Sequence, residues 1–359
     1  MRRKQFRNWC IPNPDFLWTF VGPPSCRRLS AKKAAHRFSQ LVPRCRKSGK
    51  LPAFSWFSPK ENHTSRSLPG HSNCETALTI CLLWIAMSGT AFAQQPFVHG
   101  LWVWKTASVL AAPNSGEALR DFCRAQTVNE VYLSYSPDKA DTTEEAEVAG
   151  VIALLHRSGI RVEALLSSVN ADEPGAHREK LLGHVRAVLE FNRKHPRSGF
   201  DGVHLDVEPH QRPENKGPGN LAFLPDLLET YREVRALAEQ NRMTVNADIP
   251  NKFLKGDQGQ RQALMSSLPR LTLMLYELNN PSDGESAAAQ AAKLRQAGEN
   301  YFNMAYQGLS QTHLAKMAIG LRTPDYESQL PNMLKTVEQD LSSNPHYLGW
   351  AWHSYKDAK

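Results

Sequence analysis

Phe200-Asp201-Gly202-Val203-His204-Leu205-Asp206-Val207-Glu208-Pro209-His210 alternates polar and apolar residues. Side chains alternate across a strand, so His204, Asp206 and Glu208 share one face and Val203, Leu205 and Val207 the other. The aliphatic face can pack on helices. The charged face then looks into an interior that tolerates charge. That combination is the pattern of a barrel strand with a functional interior.

The sequence on either side extends the pattern. Residues 100–104, 130–135, 161–167, 202–208, 244–249, 271–278, 316–322 and 347–352 read as strands. Amphipathic stretches at 115–126, 143–157, 178–194, 221–240, 260–267, 285–306 and 326–341 read as the helices between them. Eight such units at this spacing predict a (β/α)8 TIM barrel over residues 98–359. A doubly wound open sheet is the alternative, but the chain carries no G-x-G-x-x-G or Walker phosphate loop.

The formal charge of +8 is unevenly spread, with fifteen basic against three acidic residues before Gln94 and 28 against 32 from there on. The barrel region therefore gives no reason to expect nucleic-acid binding. Cys10, Cys26, Cys45, Cys74 and Cys81 all precede it, which leaves Cys123 without an internal disulfide partner. No Cys/His spacing suggests zinc, and neither a metal nor another cofactor is expected. Residues 77–87 (ALTICLLWIAM) are an apolar run followed by Ala91-Phe92-Ala93, an A-x-A cleavage site. Residues 71–93 thus read as a signal peptide, with a mature chain that begins at Gln94 and is secreted or periplasmic. The run is shorter than the roughly 20 residues that span a bilayer, so no stable membrane insertion is expected after cleavage. Residues 1–70 mix Arg, Lys, Pro, Ser and Trp without period. They read as a disordered basic extension, or as a stretch upstream of the true start.

Barrel enzymes work at the C-terminal ends of their strands. Here those ends carry Trp104, Ser134, Ser167, Asp206 with Glu208, Asp248, Tyr276 with Glu277, Arg322, and Trp352 with His353. Aromatic, hydroxyl, acidic and basic groups in one ring suit a polyhydroxylated ligand, a polysaccharide or oligosaccharide. Two acids on one face repel as ions, which raises the pKa of one, as a general acid at neutral pH requires. A buried acid pair in a hydrogen-bond network is the plainer alternative. Trp102, Trp104, Trp350 and Trp352 read either as a sugar platform or as interior packing. Arg322 reads as a ligand for an acidic sugar or a partner for Asp248 or Glu277. Groups on one strand rarely converge on one ion, so His204, Asp206, Glu208 and His210 are not expected to hold a metal.

The run Asp201-Gly202-Val203-His204-Leu205-Asp206-Val207-Glu208 resembles the D-G-x-D-x-D-x-E signature of family 18 glycoside hydrolases, the chitinase-like enzymes. Met274-Leu275-Tyr276-Glu277 is similar to that family's M-x-Y-D/N segment, and Trp352 to the tryptophan it places under the sugar. His204 stands where the family has its first strand Asp, and Glu277 where it has Asp or Asn. The resemblance implies a retaining hydrolase in which Glu208 protonates the glycosidic oxygen and the substrate's own 2-acetamido oxygen attacks the anomeric carbon. Asp206 and Tyr276 would steady that amide, with Trp104, Asp248, Glu277, Arg322 and Trp352 around the sugar. Without an acetamido group, Asp248 or Glu277 must supply the second carboxylate. Two other readings stay open: a catalytically silent glycan-binding barrel, and a metal-dependent hydrolase or deacetylase. The expected N-terminus of the secreted product is Gln94 by Edman sequencing or intact mass, and a membrane-bound product that keeps residues 77–93 would contradict the cleavable-signal reading.

Overall fold

The computed structural model describes residues 97–137, 142–217, 219–276, 286–322 and 330–355. The expectations for 1–70 and 71–93 lie outside the described residues. Eight strands run β1 (Val98–Val103), β2 (Glu130–Ser134), β3 (Arg161–Ser168), β4 (Gly202–Val207), β5 (Thr244–Pro250), β6 (Arg270–Met274), β7 (Lys316–Arg322) and β8 (Tyr347–His353). They pair in parallel in sequence order, and β8 closes on β1. The long helices between them are α1 (Ser115–Ala125), α2 (Thr142–His156), α3 (Ala176–Lys194), α4 (Leu224–Glu239), α5 (Gln258–Ser267), α6 (Ala287–Tyr306) and α7 (Leu330–Leu341). The fold is a (β/α)8 barrel, and its element order is the one the hydropathy pattern predicts. β6 is shorter than the sequence suggests, so Tyr276 stands on the turn after it rather than within the strand.

Local chemistry sets the element ends. Asp257 caps α5 by accepting from the Gln260 amide at 2.8 Å, while Gln260 Oε1 accepts from the Asp257 amide at 3.0 Å. This reciprocal capping box satisfies two amides that would otherwise lack partners. Ser286 does half of that job for α6, accepting from the Ala289 amide at 3.2 Å.

The strands bury two separate apolar sets. Val203, Leu205 and Val207 belong to the shell between strands and helices, as do Trp350, Trp352 and Cys123. Burial pushes the Cys123 thiol up to about 12, so it is an inert core residue. Trp102, Tyr132, Leu165 and Ala351 fill the inside of the barrel. Bulk on one side requires its absence on the other. A Cβ on Gly100 would lie 2.6 Å from the Tyr132 hydroxyl, and one on Gly320 would lie 2.9 Å from Trp102 Cη2.

Below those rings, where the strands begin, the interior is charged. The Arg270 guanidinium reaches both oxygens of Glu130, one of them at 3.1 Å, and Glu163 Oε1 at 3.2 Å. Thr244 Oγ1 donates to the same Glu163 oxygen at 3.1 Å, and Arg161 Nε donates to Glu130 at 3.4 Å. Both glutamates are shut off from solvent. Burial would push the Glu163 carboxyl up, but Arg270 and then His204 outweigh it and hold it below its usual range. Removing one partner of a buried ion pair strands the other, so Arg270→Met is expected to cost about 3–5 kcal/mol of unfolding free energy. Urea titration checks this, and a loss below about 1 kcal/mol, the scale of an exposed pair, would show that the cluster does not hold the barrel together.

Candidate active site

The site is built upward from that charged floor. His204, on the inner face of β4, places Nδ1 3.5 Å from Glu163 Oε2 and Nε2 2.8 Å from Asp248 Oδ1 on β5. Asp248 uses its other oxygen to accept from the Trp102 indole N–H at 3.0 Å. Tyr132 lies over the imidazole with ring centroids 3.7 Å apart. Burial alone would push the His204 pKa down, but Asp248 and Glu163 outweigh it and raise it to about 9. A fixed imidazolium therefore lies between two carboxylates in the middle of the barrel.

One pleat higher, Asp206 is almost fully buried at 8 % exposure. Burial first, then the charges of Glu208 and Asp248, push its carboxyl well above the usual range, against the opposing pull of His204. Glu208 follows the last residue of β4, and its amide donates to the Ser168 carbonyl at 2.9 Å. Its side chain is 21 % exposed at the barrel's open end. Burial raises its pKa and Asp248 adds to this, while a hydrogen bond from Gln211 works the other way. His210 Nε2 lies 3.7 Å from the second Glu208 oxygen. Two carboxyls thus hold protons more tightly than free side chains do, and one of them meets solvent.

Tyr276 faces the same group. Burial and the charges of Asp248, Asp206 and Glu208 push its phenol up, while Arg322 pulls it down. Its ring lies 5.3 Å from His353, whose Nε2 accepts from the Trp104 indole at 2.8 Å. An indole N–H only donates, so the His353 proton sits on Nδ1. Trp104, Tyr276 and His353 are all half-buried at the rim.

The structure thus gathers Asp206, Glu208, Asp248 and Tyr276 at one end of the barrel, with Trp104 beside them. Asp248 lies beneath the surface at 2 % exposure, already bonded to Trp102 and His204, so it is not presented to a ligand. Arg322 ends β7 exposed at the rim, opposite His353 in register. Glu277 lies outside the described residues. Trp352 is a correction. It is buried on the outer face of β8, where its ring meets Phe122 of α1 at 5.8 Å. The inner face of β8 carries Ala351 and then His353, so strand alternation turns both Trp350 and Trp352 away from any sugar. Trp102 is likewise sealed inside the barrel, and of the proposed four-tryptophan platform Trp104 alone reaches the rim.

Sequence reasoning passed over the Gln211 contact and the Glu130–Arg270–Glu163 cluster. The signal for the cluster was present, since Glu163 interrupts an otherwise apolar strand. The signal for His353 was Ala351 beside it, because a small residue marks the inner face of a crowded barrel strand. Asp201, first in the motif, sits at the opposite end of β4. It accepts from the Val162 amide at 2.8 Å and pairs with His156 at 2.9 Å, a structural role. Among the described residues no group of three His, Cys, Asp or Glu is placed to hold a metal ion, and no helix is long and apolar enough to cross a membrane.

No family model and no curated protein matches the chain. Solved structures do. Catalytic domain 2 of the Ostrinia furnacalis Group II chitinase is similar at 15 % identity, over 63 % of this chain and 64 % of that one, with a TM-score of 0.39. A Chromobacterium violaceum chitinase is similar at 12 % identity, over 64 % of this chain and 69 % of that one, with a TM-score of 0.39. A Rhizomucor miehei beta-1,3-glucanosyltransferase is similar at 11 % identity, over 72 % of this chain and 86 % of that one, with a TM-score of 0.45. The chain thus spans a little under two thirds of the Ostrinia domain.

His204 makes a stability statement. Its folded pKa of about 9 exceeds the unfolded 6.5, so its contribution is full below pH 6.5 and is lost as pH rises through 9. That contribution is on the order of 3 kcal/mol. Wild-type stability from urea titrations is expected to fall between pH 7 and pH 10, and His204→Gln to remove that step. An equally steep fall in the variant would show that another group titrates there.

Proposed function

We propose that the protein is a glycoside hydrolase that cleaves a polysaccharide or oligosaccharide, with Glu208 as general acid and Asp206 assisting. The observation that carries this reading is the stacking of Asp206 and Glu208 on one strand face. Both carboxyls are pushed up, and the outer one meets solvent. A proton held above the usual carboxylate range is what a leaving alkoxide needs at neutral pH.

The mechanism follows from what each carboxyl is free to do. Glu208 gives its proton to the glycosidic oxygen as the bond to the anomeric carbon breaks. A retaining cleavage then needs a nucleophile on the opposite side of that carbon. Asp248 is tied to Trp102 and His204 beneath the surface, which favours a nucleophile supplied by the substrate. A sugar with a 2-acetamido group provides one in its own carbonyl oxygen. As the ring closes, Asp206 passes its proton to the ionised Glu208, and the aspartate that results, with the His204 cation below it, balances the charge on the cyclised amide. The Tyr276 hydroxyl donates to the amide oxygen. Glu208 then returns that proton to Asp206 and takes one from the water that opens the intermediate. The chain would carry out this reaction outside the cytoplasm, after cleavage before Gln94.

Glu208→Gln keeps the shape and removes the proton, so turnover of N-acetylhexosamine oligosaccharides is expected to fall about 10²–10⁴-fold with glycan binding intact. Near-wild-type activity in that variant would remove Glu208 from the role of acid. Binding without turnover in the wild type would leave a silent lectin-like barrel, and turnover abolished by EDTA would leave a metal hydrolase.

Asp206→Asn has two readouts of opposite sign. Turnover should drop, and a thiazoline mimic of the cyclised intermediate should bind wild type more tightly than the product sugar does. Stability should rise. The folded carboxyl keeps a proton that the unfolded one loses above about pH 3.9, so wild-type stability falls as pH rises through that value. The gain from Asn should therefore be larger at pH 7 than at pH 4. A variant less stable than wild type at pH 7 would show that Asp206 is a structural anion.

A further inference from the structure

The turn after Glu208 is more firmly held than its exposure suggests. Two single-turn 3-10 helices, Pro209–Gln211 and Pro213–Asn215, follow β4 directly. Arg212, between them, grips Asp172 of the β3 loop through both carboxylate oxygens, at 2.9 and 2.7 Å. Its Nη1 also donates to Glu173 at 2.7 Å, and its Nε lies 3.0 Å from Glu214. The Asp172 side chain is 2 % exposed and that of Arg212 13 %, so this bidentate pair is shielded from water. Asn215 Nδ2 donates to the Pro209 carbonyl at 2.9 Å, and Lys252 donates to the Asn215 carbonyl at 3.1 Å. Gln211 is thus an exposed side chain on an anchored backbone, and its amide N–H donates to Glu208 Oε2.

We propose that Gln211 is a positioning residue that holds Glu208 Oε2 and surrenders that oxygen to the glycosidic oxygen of a bound sugar. This rests on the reading of Glu208 as the acid. A donor amide on a carboxyl oxygen favours the charged, acceptor form. Gln211 therefore keeps the acid oriented and offsets part of the upward push of burial until the substrate displaces it. The Arg212–Asp172 clamp fixes where the amide waits. The other groups acting on Glu208 come from several elements: His210 on the same turn, Asp206 on β4 and Asp248 on β5. Tyr231 on α4 and Tyr276 after β6 also feel its charge. A substitution at Gln211 leaves all of them in place.

The test needs no substrate. The carbon-13 carboxyl resonance of Glu208, assigned by its loss in Glu208→Gln, is titrated in wild type, Gln211→Leu and Gln211→Glu. The midpoint is expected to rise by about 0.5–1 pH unit in Gln211→Leu, the worth of one hydrogen bond. It should rise further in Gln211→Glu, where a second carboxyl faces the first. Thermal unfolding should stay unchanged in both, because Gln211 is exposed. Arg212→Gln should move the Glu208 midpoint in the direction of Gln211→Leu. Midpoints that do not move in either Gln211 variant overturn the proposal. With a turned-over glycan in hand, the basic limb of the kcat/KM profile should shift upward in Gln211→Leu by the same amount. If the midpoints move but no glycan is cleaved, the hydrolase reading fails and the Gln211 contact stands. If glycans are cleaved and the midpoints stay, the reverse holds.

Discussion

The interior of this barrel is organised by a column of buried charge that starts at Arg270. Its guanidinium offers donors in a fixed fork, and two glutamates from neighbouring strands accept them. Glu163, once ionised, turns its second oxygen toward His204. His204, once cationic, binds Asp248, and Asp248 in turn receives the Trp102 indole. Each member supplies the opposite charge that makes the next one affordable away from water. The column runs from the start of the strands to just below Asp206.

Asp206 and Glu208 sit where the column ends. Neither has an arginine or lysine bonded to it among the described contacts, and both have burial and neighbouring negative charge raising them. The same polypeptide thus holds the Glu163 carboxyl below its usual range and pushes those of Asp206 and Glu208 above it, through partners rather than residue type.

Most of the fold was legible because barrel strands bury both faces in different company. Val203, Leu205 and Val207 announce the helix side, while His204, Asp206 and Glu208 announce the inside. That Asp206 lies beside Glu208 was legible for the same reason, since period-two alternation fixes which residues share a face. The tryptophans of β8 were not. Indole is apolar and also stacks on sugars, so composition leaves its direction open. Only the crowding inside the barrel decides it: Trp102 and Tyr132 occupy that space, and β8 can present nothing larger than Ala351 beside them.

The sequence by itself determined the parallel eight-unit order and the inward face of β4, because both rest on local periodicity. It also placed Glu208 at a strand end. The tertiary structure alone decided that His204 is a cation, that Asp248 is committed beneath the surface, and that His353 rather than Trp352 reaches the rim. It alone brought Gln211 onto Glu208 by way of a clamp between the β3 and β4 loops. These outcomes depend on distances between residues far apart in the chain, and on the exclusion of water between them. Protonation state and side-chain direction follow from that surrounding, which no single strand encodes.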